Sequence, residues 1–248
     1  MAWVDSHCHL QLDGRPPNEL IERADEVDRI VVPGVDVESS EAALGLADEH
    51  PGRVFATAGL HPHDARHWTV QRNQIERLAN QVVAIGETGL DFYRNLSPPD
   101  DQKASFRDQL NLAGVLAKPV IVHCRDAFAD VFEMLETAGA GLRTVLHCWT
   151  GGPRWSKRFL ELGVTFSFAG PVAFETGATV REGAAVIPPE QTMVETDTPF
   201  LTPPPFRGQP NEPARVALVG AALARVWAIP VDEVARITSA RATQVFGW

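Results

Sequence analysis

Apolar positions along the chain alternate between two patterns. Short β-branched or apolar runs recur at Trp3–His7, Arg29–Val35, Val54–Leu60, Val82–Gly86, Pro119–His123, Thr144–His147, Val164–Phe168 and Thr192–Glu195. Each reads as a strand. Between them lie stretches such as NELIERADEVD, ESSEAALGLADEH, QKASFRDQLNLAGVLA and FADVFEMLETAGA, whose apolar residues are spaced by three and four, the period of an amphipathic helix. Strands alternating with helices predict a parallel sheet, and eight such units close most economically into a (β/α)8 TIM barrel of the α/β class. An open doubly wound sheet is the competing arrangement. No compositional shift marks a boundary, so residues 1–248 read as a single domain.

Two C-terminal runs, EPARVALVGAALARVWAI and DEVARITSARATQVF, predict a last barrel helix and one extra packing helix. Between the eighth strand and these helices, Pro199 to Ala214 carries six prolines and one glycine. That composition forbids a regular helix or a central strand and predicts a long loop on the face where the strands end. Asn211 reads as a cap for the helix that follows.

Composition narrows the picture. The chain is 44% hydrophobic and 22% charged, ordinary for a protein with a substantial core. No stretch is long and apolar enough to span a bilayer. No signal-peptide pattern opens the sequence, so a cytoplasmic protein without a membrane partner is expected. Twenty-two basic residues face 32 acidic ones, a net charge of −10, which argues against a protein that lives by coating polyanions. A small cleft that meets phosphates through metal ions remains open, because the ions bring their own charge. Three cysteines, an odd number, do not suggest a disulfide framework.

Barrel chemistry gathers at the C-terminal ends of the strands, and the polar outliers fall there. His7 and His9 end the first strand, and His61 and His63 follow the third. Glu87 ends the fourth strand, His123 the fifth, His147 the sixth and Asp197 the eighth. Side chains two apart on a strand point the same way, so His7 and His9 face one axis while Cys8 turns away. Cys124 and Cys148 adjoin His123 and His147 in the same fashion, which predicts three outward, packed thiols. Imidazole with carboxylate suits Zn, Mn, Fe or Ni, and oxygen-rich sites suit Mg. Six such residues are too many for one catalytic ion with an open position. Two ions sharing the two oxygens of Glu87 fit better, the arrangement that supports in-line displacement at phosphorus.

The ordered motifs DSHCHL, GLHPH, GETGLDFYR, VIVHCRDA, VLHCWTGG and ETDTPFLTP, followed by NEPA, resemble the TatD family of metal-dependent hydrolases, in the amidohydrolase superfamily of barrels. His-x-His alone is weak, but the ordered set is specific and runs from residue 5 to residue 213. The resemblance implies a (β/α)8 fold, two divalent ions (Mg, Mn or Zn) and deoxyribonuclease activity, often from a 3′ end. It implies His7, His9, Glu87, His123, His147 and Asp197 as ligands, with Glu87 as the bridge. Phe92 and Trp149 depart from the usual tyrosine and phenylalanine, which bears on substrate fit and not on metal.

The expected reaction is attack of a metal-activated water on a phosphodiester of DNA, a single strand or 3′ end, with Asp197 accepting the proton and Glu87 holding the ions. No obligate protein partner is evident. A carboxylic ester, amide or lactone hydrolase using the same site is the alternative, and a metal-stabilised binding protein is disfavoured because structural sites are closed. His61, His63, Arg94, Arg125 and Arg207 are candidate substrate contacts on the same face. Trp149, Phe174 and Phe200 are candidates for stacking on a base, against core or rim packing. Asp5 reads as a partner of a ligand histidine, His50 as a helix-end cap and His67 as a surface residue.

Overall fold

The computed structural model describes residues 2–139 and 141–248. Eight strands are found where eight were predicted: β1 Trp3–Asp5, β2 Val27–Val32, β3 Val54–Ala58, β4 Ala84–Asp91, β5 Val120–Arg125, β6 Thr144–Leu146, β7 Thr165–Phe168 and β8 Thr192–Val194. They form one eight-stranded sheet in chain order. Helices α1 Pro17–Glu22, α2 Val37–Glu49, α3 Trp68–Leu78, α4 Pro99–Leu116, α5 Phe128–Ala138, α6 Pro153–Glu161 and α7 Ala178–Ala185 follow the first seven strands in turn. The eighth is followed by α8 Val216–Trp227 and α9 Val231–Phe246. This is the (β/α)8 class the patterning predicted. The residues gather into two compact units: residues 2–32 with Cys148–Glu161 and Thr165–Trp248, and Pro33–His147 with Leu162–Val164.

In the first unit β1 pairs parallel with β2, Trp3 opposite Val27 and Asp5 opposite Ile30. β7 pairs parallel with β8, Phe166 opposite Thr192. β1 stops two residues short of His7, and the chain beyond it is held in place by backbone bonds on both sides. Ser6 N–H donates to Val194 O at 3.0 Å, His9 N–H to Thr198 O at 2.9 Å, and Cys8 N–H to Val31 O at 2.9 Å. Asp197 N–H donates back to His7 O at 2.9 Å. The buried Trp3 ring lies so close to Gly220 of α8 that any Cβ there would overlap the indole. α1 is shorter than its apolar spacing suggested, ending at Glu22, because the chain must be extended again from Val27 to pair with β1.

The proline-rich stretch is irregular, as predicted, up to the single 3-10 turn Pro213–Arg215. Asn211 is not its cap; Glu212 occupies that position. Asn211 is fully buried instead, its Nδ2 donating to Thr196 O at 2.8 Å and Phe200 O at 2.9 Å. One amide thus ties the end of β8 to the loop. Helix-start statistics could not reveal this, since the partners lie eleven and fifteen residues upstream.

In the second unit β3 to β6 run parallel in order, with Thr57 opposite Ala84, Ile85 opposite Val120 and Val122 opposite Leu146. β4 runs five residues past the predicted end at Gly86, to Asp91, with a register shift between Ile85 and Thr88. Such a bulge re-aims the side chain it contains, here Glu87. Gly89 sits at φ +133°, and a Cβ there would overlap the His123 carbonyl oxygen. Only glycine lets β4 and β5 approach closely at this point.

α4 holds the strand ends of this unit with two buried glutamines seven residues apart, which share one helix face. Gln109 accepts from Leu60 N–H at 2.9 Å and donates to Leu60 O at 3.0 Å. Gln102 accepts from Asp91 N–H at 2.8 Å and donates to Asp91 O at 3.2 Å and Ser97 O at 2.8 Å. Each replaces a missing strand neighbour for a chain leaving the sheet.

Gln109→Leu keeps the bulk but strands both Leu60 backbone groups. It should cost about 2–4 kcal/mol, since each buried unpaired group costs roughly 1–3 kcal/mol. Urea unfolding should show a lower midpoint with an unchanged slope; a loss below about 0.5 kcal/mol would refute the clamp.

Candidate metal centre

The zipped segments of the first unit bring three predicted residues together. His7 and His9 are both buried, and their Nε2 atoms stand 3.1 Å apart. The rings meet edge to face, with centroids 4.8 Å apart. Asp197 Oδ1 lies 3.8 Å from His7 Nε2 and 3.6 Å from His9 Nε2. Asp197 sits at φ +56°, a left-handed conformation that aspartate tolerates better than most residues. Cys8, between the histidines, is fully buried.

The bulge in β4 builds the second cluster. Glu87 is only 2% exposed. Its Oε1 lies 2.9 Å from His147 Nε2, 3.0 Å from His123 Nδ1 and 3.3 Å from His61 Nε2. His123 Nδ1 and His147 Nε2 are 3.2 Å apart. His61, Glu87 and His123 each offer a ligand atom, all within 4.8 Å of one another. His61 therefore belongs to the cluster itself. Burial pushes its imidazole down to about 4 against the pull of Glu87, so it is neutral at pH 7. His63 faces outward beside it, ring centroids 4.2 Å apart.

Asp91 is the residue the sequence reading missed. It is fully buried, and its Oδ2 accepts from His63 Nε2 at 2.9 Å and His123 Nε2 at 3.1 Å. Burial alone would raise its pKa, but bonds from His123, the Arg94 amide and His63 outweigh that and hold the carboxyl below its usual range. An ionised carboxylate only accepts, so both rings carry their proton on Nε2. In a neutral His123 the Nδ1 lone pair then points at Glu87 Oε1, acceptor facing acceptor at 3.0 Å. A proton or a cation must lie between them. Burial lowers the His123 pKa, yet the bonds to Asp91 and Glu87 carry it up overall. A signal for Asp91 was present: it is a carboxylate four residues past Glu87 in GETGLD, and it became visible only once β4 extended to it.

The other expectations divide. Asp5 meets the predicted ligand His7 through the backbone. Its oxygens take Thr196 N–H at 2.9 Å, Thr196 Oγ1 at 2.6 Å and His7 N–H at 3.4 Å, so it braces the backbone where β1 and β8 end. Burial pushes its carboxyl up to about 8 against those bonds. Arg94 is exposed in the turn after β4, and Arg125 is exposed at the last position of β5. Arg207 is exposed too, its guanidinium 3.9 Å over the Phe174 ring and donating to Thr202 O at 3.0 Å. Trp149 is core: 1% exposed, it packs edge-on against Phe159 and Phe166 and donates to Ser156 Oγ at 2.9 Å. Phe200 is 54% exposed, its ring 6.4 Å from that of His9.

His50 closes α2 as the C-cap residue, and His67 is exposed at the start of α3. None of the three cysteines forms a disulfide. Cys124 and Cys148 are half-buried rather than packed away. Alternation fails at Cys148 because β6 has already ended and the residue sits at φ +45°. Its N–H donates to the fully buried Glu195 at 2.8 Å, a second brace that the reading of ETD passed over.

The sequence profile described as TatD related DNase matches residues 4–247. The uncharacterized metal-dependent hydrolase YabD of Bacillus subtilis is 38% identical over 98% of this chain and 98% of its own. A protein of Erwinia amylovora named 3'-5' ssDNA/RNA exonuclease TatD is 35% identical over 93% of each chain. The crystal structure of YJJV, a TatD homologue from Escherichia coli, superposes with a TM-score of 0.91 at 28% identity, covering 99% of this chain and 98% of that one.

Because Asp91 titrates below its ordinary value in the folded protein, the unfolded chain takes up its proton first, near pH 4. The stability Asp91 contributes is thus complete above that pH and lost as pH falls further. In metal-free protein, urea midpoints measured from pH 7 to pH 3 should drop on the acid side, and Asp91→Asn should flatten that limb. An unchanged acid limb would show that the carboxylate is not held by the two imidazoles.

Proposed function

Since the chain belongs to the TatD-related DNase family, we propose that it is a divalent-metal-dependent hydrolase of phosphodiester bonds, trimming single-stranded DNA from a 3′ end. The observation that carries this reading is the buried Glu87 oxygen within 3.3 Å of three imidazole nitrogens. Such a donor set is costly to bury without a cation, and it matches borderline divalent ions. The facing Nε2 atoms of His7 and His9 beside Asp197 have the same character. In this reading two ions, of Mg, Mn or Zn, are held by His7, His9, Glu87, His123, His147 and Asp197. Bound ions supply Lewis acidity, which polarises a phosphoryl oxygen and acidifies water.

The chain's own residues do the rest. Asp197 accepts the proton of the attacking water and returns it to the leaving oxygen. Asp91 fixes His123 with Nδ1 turned inward, as a carboxylate behind a ligand imidazole does. Arg125, exposed at the end of β5, neutralises the non-bridging oxygens, and His63 is held by the same carboxylate. His61, neutral at pH 7, meets the site as a hydrogen-bonding group and not as a charge.

A 3′-end-labelled single strand should be shortened with added Mg2+, Mn2+ or Zn2+ and spared in chelator. Glu87→Gln and Asp197→Asn should lower the rate by about 10³-fold or more. Metal should raise the melting temperature of the wild type and not of these variants. Turnover of aryl or aminoacyl esters without any shortening of DNA would move the protein to the alternative reading, an ester or amide hydrolase with the same site.

A further inference from the structure

The turn after β4 displays an aromatic ring that the fold itself does not use. Tyr93, the only tyrosine in the chain, is 63% exposed two residues beyond Asp91. Its backbone is nonetheless fixed. Arg94 N–H donates to Asp91 Oδ1 at 2.7 Å, Asn95 N–H to Asp91 O at 3.2 Å, and Gln102 grips Asp91 and Ser97 from α4. One face of the ring is covered by the Arg125 guanidinium, 4.1 Å from the centroid. Arg125 is Asp91's partner in the β4–β5 register, and its carbonyl accepts Phe92 N–H at 3.0 Å. Arg125 is exposed and forms no ion pair among the described residues, so its charge is left for something else. The opposite face of the ring is open.

An aromatic ring with a cation over one face, held beside the His63–Asp91–His123 cluster, matches the two chemistries of a single-stranded nucleotide. We propose that Tyr93 and Arg125 form a nucleotide subsite. A base stacks on the exposed side of Tyr93, and Arg125, over the other face, pairs with a backbone phosphate. The subsite rests on the reading of nucleic acid as substrate. Tyr93 stands two residues beyond Asp91 in the turn that Asp91 itself closes, so the base held belongs to a nucleotide near the scissile phosphate.

The test pairs Tyr93→Ala with oligonucleotides carrying one abasic residue at successive positions from the 3′ end. On intact DNA the variant should lose roughly 5- to 100-fold in kcat/KM, the range of one base–aromatic stack, and Tyr93→Phe should recover most of it. At one abasic position the wild type should fall to the level of Tyr93→Ala, and the variant should lose nothing more. Wild-type rates for Tyr93→Ala, or a penalty that persists at every abasic position, would overturn the subsite. A second readout does not depend on turnover. With tetranitromethane in chelator, oligothymidylate should protect this single tyrosine from nitration, and unprotected nitration at saturating oligonucleotide would equally overturn it. A wild type that trims no DNA would defeat the nuclease reading alone, and nitration would then decide the subsite by itself.

Discussion

The geometry of the second unit is governed by one unfavourable meeting: the Glu87 carboxylate and the inward nitrogen of His123, both acceptors, held 3.0 Å apart in a buried place. Left alone, that arrangement would relax or take up a proton. It persists because the elements around it are fixed by other means. The bulge in β4 aims Glu87, and Gly89 lets β5 close in behind it. Asp91 holds His123 from the far side. The cluster is thus a demand for positive charge written into the backbone, met by a proton when metal is absent and by a divalent ion in the proposed reaction.

Fixing that demand falls to residues with no place in the chemistry. Gln102 and Gln109 of α4 replace strand neighbours where β3 and β4 leave the sheet. Asn211 and Asp5 do the same at the end of β8, through Thr196. In every case a buried side-chain amide or carboxylate satisfies backbone groups that regular pairing no longer reaches. Strand ends are where a barrel can afford irregular backbone, and irregular backbone is what turns several side chains toward one point.

Legibility in the sequence followed periodicity closely. The eight strands were readable because apolar patterning is a local property. For Trp149, core packing was weighed against stacking on a base, and it is core, packed edge-on against Phe159 and Phe166. What was misread depended on chain partners far away. Asn211 looked like a cap because its bonds to Thr196 and Phe200 cannot be inferred from spacing. Asp91 was invisible because parity was counted from a strand thought to end at Gly86, and a bulge breaks parity in any case. His61 and His63, one turn of sequence, proved to have different surroundings: one faces Glu87, the other faces Asp91.

The charge of −10 gains its meaning from how the cations are used. Arg15 is tied to Asp13, Arg23 to Glu212, Arg72 to Glu76 and Asp108, and Arg236 to Glu233. Arg125 forms no ion pair among the described residues and lies at the end of β5, two residues beyond His123 of the cluster. A surface of this kind cannot gain much from releasing counterions along a duplex, where affinity grows with each phosphate neutralised. It suits a ligand that presents few phosphates at once to a point of concentrated charge. The end of a single strand is such a ligand. Net acidity and an imidazole–carboxylate cluster are then parts of one electrostatic design, in which bound ions supply locally the attraction that the rest of the surface withholds.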